Sequence, residues 1–288
     1  MQNTTRRNFL KTTTAAFAAT ASWPSLATAA KPAPTMRLGL VTYNWGKNWD
    51  LPTVLANCAA TRFDGVELRS THKHGVEITL SPAERKEVKA QFADSPVELA
   101  GLGSACDYHH ADPEKLKANI EETKQFIRLT HDLGGGGVKV RPNSFPEEVS
   151  QEKTLEQIGK SLHEVAAYGA DFGVAIRLEV HGRGTNEPRH IKTMMDIADH
   201  PNALVCWNCN PLDLEAPGLE KNFNLVADKI NTVHIHDLRN DKYPWRQLFD
   251  LLKAKNFTGW TLLEDGKAPK DIVAAMHENR NIWNELAG

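Results

Sequence analysis

The feature of this sequence that most restricts its fold is a strand followed by a helix, repeated eight times from residue 36 to the end. Short aliphatic runs alternate with longer stretches in which apolar residues recur at helical spacing. Eight such units in about 250 residues are typical of an α/β fold, the (β/α)8 TIM barrel. An open doubly wound sheet is the competing architecture, but it would require a glycine fingerprint after the first strand, and Tyr43-Asn44-Trp45-Gly46 is not one.

The predicted elements follow local signals. Ser81-Pro82-Ala83-Glu84 supplies a helix cap, a first-turn proline and an acid at the third helical position. The glycine run 134–137 precedes a strand instead of following one, which argues against a phosphate-binding loop. We predict strands at residues 37–43, 65–69, 97–103, 138–141, 176–182, 203–208, 232–236 and 260–264. We predict helices at residues 51–61, 81–92, 112–133, 154–168, 188–198, 219–227, 245–255 and 269–286.

The first 30 residues have the pattern of an export signal. The segment Thr5-Arg6-Arg7-Asn8-Phe9-Leu10-Lys11 resembles a twin-arginine motif, and Ala27-Thr28-Ala29-Ala30 resembles a cleavage site. We therefore predict a twin-arginine (Tat) signal peptide over residues 1–30, a linker over 31–35 and the barrel over 36–288. This pathway implies a periplasmic protein without a membrane anchor, since no later apolar run approaches the ~20 residues that span a bilayer.

The composition argues against a nucleic-acid-binding protein. Basic and acidic residues number 34 and 36, for a net charge of −2, whereas such proteins usually carry a strongly basic face. The four cysteines include Cys206 and Cys209 with C-x-x-C spacing, the spacing of a redox pair or of half a zinc site. Residues three apart on a strand face opposite sides, and no second pair exists. We therefore interpret the cysteines as unpaired structural thiols.

Charged and polar side chains recur at the predicted carboxyl ends of the strands. In a strand, alternate side chains share a face, so Glu179 and His181 point the same way. An uncompensated buried ion costs several kcal/mol, so charges at most strand ends indicate a site. Active sites of such barrels lie at these ends. The strand-end residues are Glu67 and Arg69, Lys139 and Arg141, Glu179 and His181, Asn208, His234 and His236, and Glu264.

Two carboxylates, an imidazole and an amide oxygen from four strands suit one divalent metal ion, namely manganese, magnesium, cobalt or zinc. Such an ion acts as a Lewis acid on a sugar carbonyl and on the neighbouring hydroxyl. Glu67 has a different interpretation, as a structural partner of Arg177 or Lys139.

These strand ends resemble the xylose-isomerase-like TIM-barrel superfamily, also called the sugar phosphate isomerase/epimerase family, from about Met36 to the end. The superfamily includes sugar isomerases, ketose 3-epimerases, inosose dehydratases and endonuclease IV. In the ketose-epimerase branch a glutamate, an aspartate, a histidine and a glutamate close strands five to eight and bind one metal ion. The resemblance therefore implies the metal ligands Glu179, Asn208, His236 and Glu264.

Two positions depart from the ketose-epimerase pattern. Asn208 replaces an aspartate and brings no charge, so the site is weaker or recruits His181 or Asp213. Pro211 stands where the branch has a histidine. Endonuclease IV is a poor match, because it uses several metal ions and more histidines and aspartates than these strand ends offer.

The resemblance implies proton transfer beside a carbonyl, with Glu179 and Glu264 as the catalytic pair and Lys139 as a base or an oxyanion partner. The first hypothesis is isomerisation or epimerisation of a non-phosphorylated sugar. The second is a 3-keto-glycoside lyase or hydrolase, and the third is a sugar-binding barrel without catalysis. The expected binding partner is a small sugar, and the chain could also form a homo-oligomer. The predicted substrate-binding residues are His181, His234, Arg141, His109, His110, His72, Trp45 and Arg239.

Overall fold

The structure, a computed structural model, describes residues 36–288 and contains a closed barrel of parallel strands. Each strand pairs with the next one along the chain, and the last pairs with the first. The predicted (β/α)8 TIM barrel is confirmed, whereas the predicted signal peptide and linker lie outside the described residues. The strands are β1 (Arg37–Val41), β2 (Gly65–Arg69), β3 (Glu98–Asp107), β4 (Gly137–Arg141), β5 (Ala175–Glu179), β6 (Ala203–Asn208), β7 (Ile230–Ile235) and β8 (Trp260–Leu263).

Eight α-helices pack around the described barrel, and side-chain caps fix several of their starts. The Ser81 hydroxyl accepts a hydrogen bond from the Glu84 N–H, and the Glu84 carboxylate accepts one from the Ser81 N–H. This pair of hydrogen bonds is the predicted capping box. Ser150 caps the fourth helix, which therefore begins three residues before the predicted start. The helices are α1 (Leu51–Ala60), α2 (Pro82–Ala93), α3 (Pro113–Leu133), α4 (Gln151–Asp171), α5 (Pro188–Ala198), α6 (Leu219–Asn224), α7 (Trp245–Ala254) and α8 (Ile272–Ala287).

Two strand ends differ from the prediction in ways that affect the site. β3 continues to Asp107, four residues past the predicted end, and carries that carboxylate to the carboxyl-terminal rim. β7 ends at Ile235, so His234 belongs to the strand and His236 lies just beyond it. His234 is in register with Asn208 of β6, which places the two side chains at the same height in the barrel.

A buried arginine fills the amino-terminal end of the barrel. Arg177 on β5 is 3% exposed, and it donates to Asn231 Oδ1 at 2.7 Å and to the Ala100 carbonyl at 2.9 Å. Glycines on the neighbouring strands leave the space that this side chain needs. A Cβ at Gly137 would lie 2.7 Å from Arg177 Nε, and a Cβ at Gly101 would lie 2.7 Å from its NH1. The end of the glycine run in the sequence therefore serves packing.

A short 3-10 helix, Pro211–Leu214, follows β6 and is held by a buried carboxylate. Asp213 is 0% exposed, and its Oδ2 accepts from the Asn210 N–H at 2.9 Å and from the Tyr243 hydroxyl at 2.8 Å. Burial raises the pKa of Asp213 to about 7, although these hydrogen bonds act in the opposite direction. The carboxylate is committed to this turn, and it does not take the place of Asn208 as the sequence analysis suggests.

The described chain carries neither a disulfide nor a membrane-spanning helix. All four cysteines are buried with free thiols, as predicted. None of the helices between residues 36 and 288 is both long and apolar enough to cross a bilayer.

Replacing Gly137 with alanine should destabilise the protein. The new methyl would meet both Arg177 Nε at 2.7 Å and the Ala175 backbone oxygen at 2.8 Å, and the backbone contact cannot move aside. We expect the free energy of unfolding in urea to fall by about 1–3 kcal/mol. The control is Gly266→Ala, since a Cβ there meets nothing within 4 Å. Equal stability of the two variants would contradict the packing role.

Asp213 predicts a pH dependence of stability. Its folded pKa of about 7 lies above the ordinary 3.8, so the folded protein binds this proton more tightly than the unfolded chain does. The contribution is complete below pH 3.8 and is lost as the pH rises through 7. Asp213→Asn should therefore gain stability over the wild type as the pH rises through this window, with an upper limit of about 4 kcal/mol.

Urea denaturation at pH 4.5 to 8.5 tests this, with the exposed Asp171→Asn as a control that should run parallel to the wild type. If the Asp213→Asn curve also runs parallel to the wild type, the assigned pKa is wrong.

Candidate active site

A polar cavity of about 280 Å³ opens at the carboxyl ends of the strands. This is the end at which barrels of this type carry their active sites. Its walls combine carboxylates with arginine, lysine, histidine and amide side chains, as a site for a polyhydroxylated ligand requires. The lining residues are Tyr43, Arg69, Lys139, Arg141, Glu179, His181, Asn208, Asn210, His236, Glu264 and Gly266.

Two carboxylates at the floor of the cavity and one histidine buried beneath them lie together, and we call them the Glu179–His234–Glu264 cluster. The Nδ1 atom of His234 lies 3.1 Å from Glu264 Oε2 and 3.6 Å from Glu179 Oε1. One ligand atom from each residue falls within 4.8 Å of the others. His234 is 0% exposed and Glu179 is 2% exposed, so the cluster is shielded from water on the barrel side.

Two further charges hold the cluster from outside. Glu67 Oε1 lies 3.3 Å from Nε2 of His234, on the ring edge opposite the cluster, and Lys139 Nζ lies 2.8 Å from Glu179 Oε2. Glu67 thus partners His234, whereas the sequence analysis predicts Arg177 or Lys139. The position of Glu67 behind the histidine matches that of second-sphere carboxylates at metal centres, although the 3.3 Å contact is not a hydrogen bond.

Opposite charges, rather than burial, decide the ionisation of the cluster. Burial by itself would raise the pKa of Glu179, but the Lys139 ammonium and the His234 ring hold it well below its usual range. For Lys139, burial acts to lower the pKa, but Glu179, Glu264 and Glu67 raise it above its ordinary value. Lys139 is therefore a cation at neutral pH. This charge helps to keep Glu179 ionised, and it agrees better with the predicted role of oxyanion partner than with that of base.

The donor set fits a divalent metal ion. Ligands about 2.1 Å from a common ion stand roughly 3.0–3.4 Å apart, close to the 3.1 and 3.6 Å separations measured from His234 Nδ1. His234 Nδ1 and Asn208 Oδ1 are also buried without a hydrogen-bond partner. Buried polar atoms without a partner cost about 1–3 kcal/mol each, and coordination, with loss of any proton on His234 Nδ1, would remove this cost.

The histidine of this cluster is not the one that the family resemblance implies. Both ring nitrogens of His236 contact backbone carbonyls, Nδ1 that of Glu264 at 2.8 Å and Nε2 that of Cys209 at 2.9 Å. Neither nitrogen is free to join the carboxylates. The reason is the end of β7, which keeps His234 in the strand and leaves His236 in the cavity wall. His234, predicted as a substrate ligand, is fully buried and does not line the cavity.

Asn208 lies beside the cluster as predicted, but its contacts leave its role as a ligand open. Its Nδ2 donates to Glu179 Oε1 at 3.2 Å, which directs Oδ1 elsewhere. The neighbouring Asn210 donates to the carbonyls of Asn208 and Val180, both at 2.7 Å, and so ties the ends of β5 and β6 together.

Two of the predicted substrate ligands line the cavity. They are His181 and Arg141, and Nδ1 of His181 is buried without a partner. Burial lowers the pKa of His181, although Glu179 acts to raise it, so this imidazole is neutral at pH 7. A neutral ring of this kind both donates and accepts hydrogen bonds, as a sugar hydroxyl requires.

The other predicted substrate ligands lie apart from the cavity lining. Trp45 is 1% exposed and donates Nε1–H to the Lys267 carbonyl at 2.8 Å, so it is a core residue and offers no stacking surface. Arg239 forms ion pairs with Asp237 and Glu278. His72 is half-buried and lies outside the lining, and the pair His109 and His110 contacts Asp107 at the rim.

Four lining residues are absent from the predicted catalytic, metal-binding and substrate-binding residues, namely Tyr43, Arg69, Asn210 and Gly266. Tyr43 stacks under the Arg69 guanidinium at 4.4 Å, and Arg69 NH1 lies 3.9 Å from Glu264 Oε1. The position of Arg69 at the end of β2 is a usable signal in the sequence. Asn210 has no such signal, because it lies in a loop whose course the strand pattern does not determine.

Solved structures of several sugar epimerases share the fold. The 3-keto-D-glucoside 4-epimerase of E. coli aligns with a TM-score of 0.74 at 14% identity, over 87% of this chain and 100% of its own. The D-psicose 3-epimerase of Clostridium cellulolyticum H10 aligns with a TM-score of 0.73 at 14% identity, over 88% and 99%. An L-ribulose 3-epimerase aligns with a TM-score of 0.74 at 18% identity, over 88% and 95%. At these identities the likeness concerns the fold.

The sequence itself also carries a family match. No curated protein sequence matches the chain. Residues 55–283, however, match the family described as xylose isomerase-like TIM barrel, which is well over half of the chain. Together with the closed eight-stranded barrel, this match means that the protein belongs to the xylose isomerase-like TIM barrel family.

Proposed function

We propose that this protein is a metal-dependent sugar epimerase or isomerase that moves a proton on the carbon next to a carbonyl group. The observation that carries the proposal is the Glu179–His234–Glu264 cluster at the floor of a polar cavity. The sugar epimerases that share the fold support this reaction class. The predicted twin-arginine signal would place the enzyme in the periplasm, which favours a non-phosphorylated sugar.

The metal ion would be held by Glu179, His234 and Glu264, with Asn208 Oδ1 as a further neighbour. When bound, a divalent ion of this kind polarises the carbonyl and an adjacent hydroxyl of the sugar and makes the neighbouring C–H more acidic. Glu67 and Lys139 orient the donors through the contacts at 3.3 and 2.8 Å. The donors do not select sharply among manganese, magnesium, cobalt and zinc.

The proton transfer is assigned to the cluster's carboxylates. Burial acts to raise the pKa of Glu264, but His234 overcomes this and lowers it, so Glu179 and Glu264 are both ionised at neutral pH. Glu179 is the last residue of β5 and Glu264 directly follows β8, so the two carboxylates reach the cavity from different strands. Epimerisation needs a group on each face of the planar intermediate, and two carboxylates on separate strands meet this need. The substrate's hydroxyls would be bound by Arg69, Arg141 and His181.

A lyase acting on 3-keto-glycosides is the second candidate. A ketone at C3 acidifies the C–H at C2, and the carbanion formed there has the C1 substituent in the β position. Loss of that substituent would give elimination from the same proton abstraction. The shared fold of the E. coli 3-keto-D-glucoside 4-epimerase, whose substrate carries this ketone, is the observation that favours it.

Proton exchange in deuterated water tests the reaction class. NMR of the manganese-loaded protein with free ketoses and 3-keto-glycosides should show the proton beside the carbonyl replaced by deuterium. Glu179→Gln should lower the exchange rate by about 10²- to 10⁴-fold, because the variant has lost a proton acceptor. The exposed Glu285→Gln is the matched control and should retain the wild-type rate.

The products decide between the candidates. An epimer or isomer supports the first function, and release of the aglycone supports the second. Full exchange in Glu179→Gln would contradict both. Ligand binding by calorimetry without any exchange, and unaffected by a chelator, would identify a sugar-binding barrel without catalysis.

Replacing His234 or His236 with asparagine tests which of the two histidines binds the metal ion. His234→Asn should weaken manganese binding by more than about 100-fold, because second-sphere changes alone cost 10- to 100-fold. His236→Asn should change the affinity by less than about 10-fold, since this ring contacts only backbone carbonyls through its nitrogens. Calorimetric titration measures both variants. A larger loss in His236→Asn would restore the ligand that the family resemblance implies.

A further inference from the structure

A second group of metal-ligand side chains lies at the end of β3, outside the Glu179–His234–Glu264 cluster. Asp107 Oδ1 lies 2.6 Å from His110 Nε2 and 3.4 Å from His109 Nδ1. One atom of each residue falls within 4.8 Å of the others. The two imidazole rings are 4.4 Å apart and inclined by 37°, so they face the same carboxylate oxygen side by side.

This group is not satisfied by its own hydrogen bonds. Asp107 is 6% exposed, yet its Oδ1 and Nδ1 of His109 are both buried without a hydrogen-bond partner. The close contacts of Oδ1 with the rings therefore lack hydrogen-bond geometry. Each buried orphan of this kind costs about 1–3 kcal/mol unless another group satisfies it.

The other carboxylate oxygen is anchored separately. Asp107 Oδ2 accepts from Asn143 Nδ2 at 2.9 Å, and Arg141 NH2 lies 3.6 Å from it. The positive charge of Arg141 thus lies on the Oδ2 side, while Oδ1 faces the histidines. Carboxylates that bind metal ions are held in the same way, by hydrogen bonds that orient the group.

The backbone around the group is fixed before any ligand binds. Tyr108, between Asp107 and His109, is fully buried, and its hydroxyl contacts Thr123 at 2.9 Å. The Gln157 side chain donates to the carbonyls of Tyr108 at 2.7 Å and of His110 at 2.9 Å. Binding a metal ion would therefore require little further ordering of the backbone, which favours a high affinity for the ion.

We propose that Asp107, His109 and His110 form a second divalent-metal site of this protein, separate from the cluster at the cavity floor. Two imidazoles and one carboxylate are donors suited to Zn²⁺, Mn²⁺ or Fe²⁺. His109 Nδ1, at 3.4 Å from Asp107 Oδ1, already has the spacing of two ligands of one ion, whereas the His110 ring, at 2.6 Å, would move outward on binding. The histidine side chains are 13% and 27% exposed, so the remaining coordination positions face solvent. Arg141 contacts Asp107 and also lines the cavity, which places the site at the cavity rim.

Zinc stoichiometry tests the proposal without using activity. The full chain, without a histidine tag, is dialysed against Zn²⁺ at a fixed free concentration and analysed for metal content. The wild type should hold two ions per chain. Asp107→Asn and His110→Gln should each hold one, and the exposed His277→Gln should still hold two. Circular dichroism verifies the fold of each variant, and the two rim substitutions affect different side chains, so misfolding of one leaves the other informative.

Glu179→Gln separates this proposal from the proposed function. If both sites exist, this variant holds one ion, and combining it with Asp107→Asn leaves none. If the wild type holds one ion that Asp107→Asn removes and Glu179→Gln does not, the rim site stands and the metal-dependent reaction fails. If Asp107→Asn and His110→Gln keep the wild-type metal content, the rim site is overturned.

Discussion

The contact on which this site depends is the one between Glu179 and Lys139, at 2.8 Å inside the barrel. A barrel interior is normally filled by aliphatic layers, and an unpaired carboxylate there costs several kcal/mol. Glu67, Glu179 and Glu264 are all buried here, and the Lys139 ammonium and the His234 ring lie among them. Because opposite charges lie together here, the barrel can hold Glu179 and Glu264 ionised below the polar cavity.

The charges continue below this contact to the amino-terminal end of the barrel. Arg177 lies two residues before Glu179 on the same face of β5, in space that Gly101 and Gly137 leave free. The arginine side chain fills this end of the barrel, and its polar atoms are satisfied by hydrogen bonds to Asn231 and to a backbone carbonyl. The glycines, the arginine and the carboxylates therefore form one arrangement, in which packing at one end supports charge at the other.

The strand pattern and the residues at strand ends were sufficient to predict the barrel and much of its cavity. Regularly spaced aliphatic runs predict the eight strands, and this prediction does not depend on the register between neighbouring strands. The carboxyl ends of these strands then bring Lys139, Glu179 and Glu264 together. The choice between His234 and His236 could not be made in this way. These residues share a face two positions apart, and tertiary contacts decide which of them joins the carboxylates. His234 is in register with Asn208, whereas His236 lies beyond the end of β7 between two backbone carbonyls.

Other differences have equally specific causes. Asp107 escaped prediction because β3 runs four residues beyond Gly103, and strand length depends on pairing with β4 rather than on local sequence. Trp45 is among the predicted substrate ligands, but its indole N–H reaches the Lys267 carbonyl and the ring is buried. The two residues in this contact are 222 positions apart in the sequence, so the local pattern around Trp45 does not predict it.

Anomalous diffraction from crystals grown with Mn²⁺ would locate the metal ion without reference to activity. We expect a manganese peak about 2.0–2.2 Å from Nδ1 of His234 and from one oxygen each of Glu179 and Glu264, with the His236 ring still in contact with its two backbone carbonyls. A peak bonded to His236, or none beside His234 at saturating manganese, would contradict it.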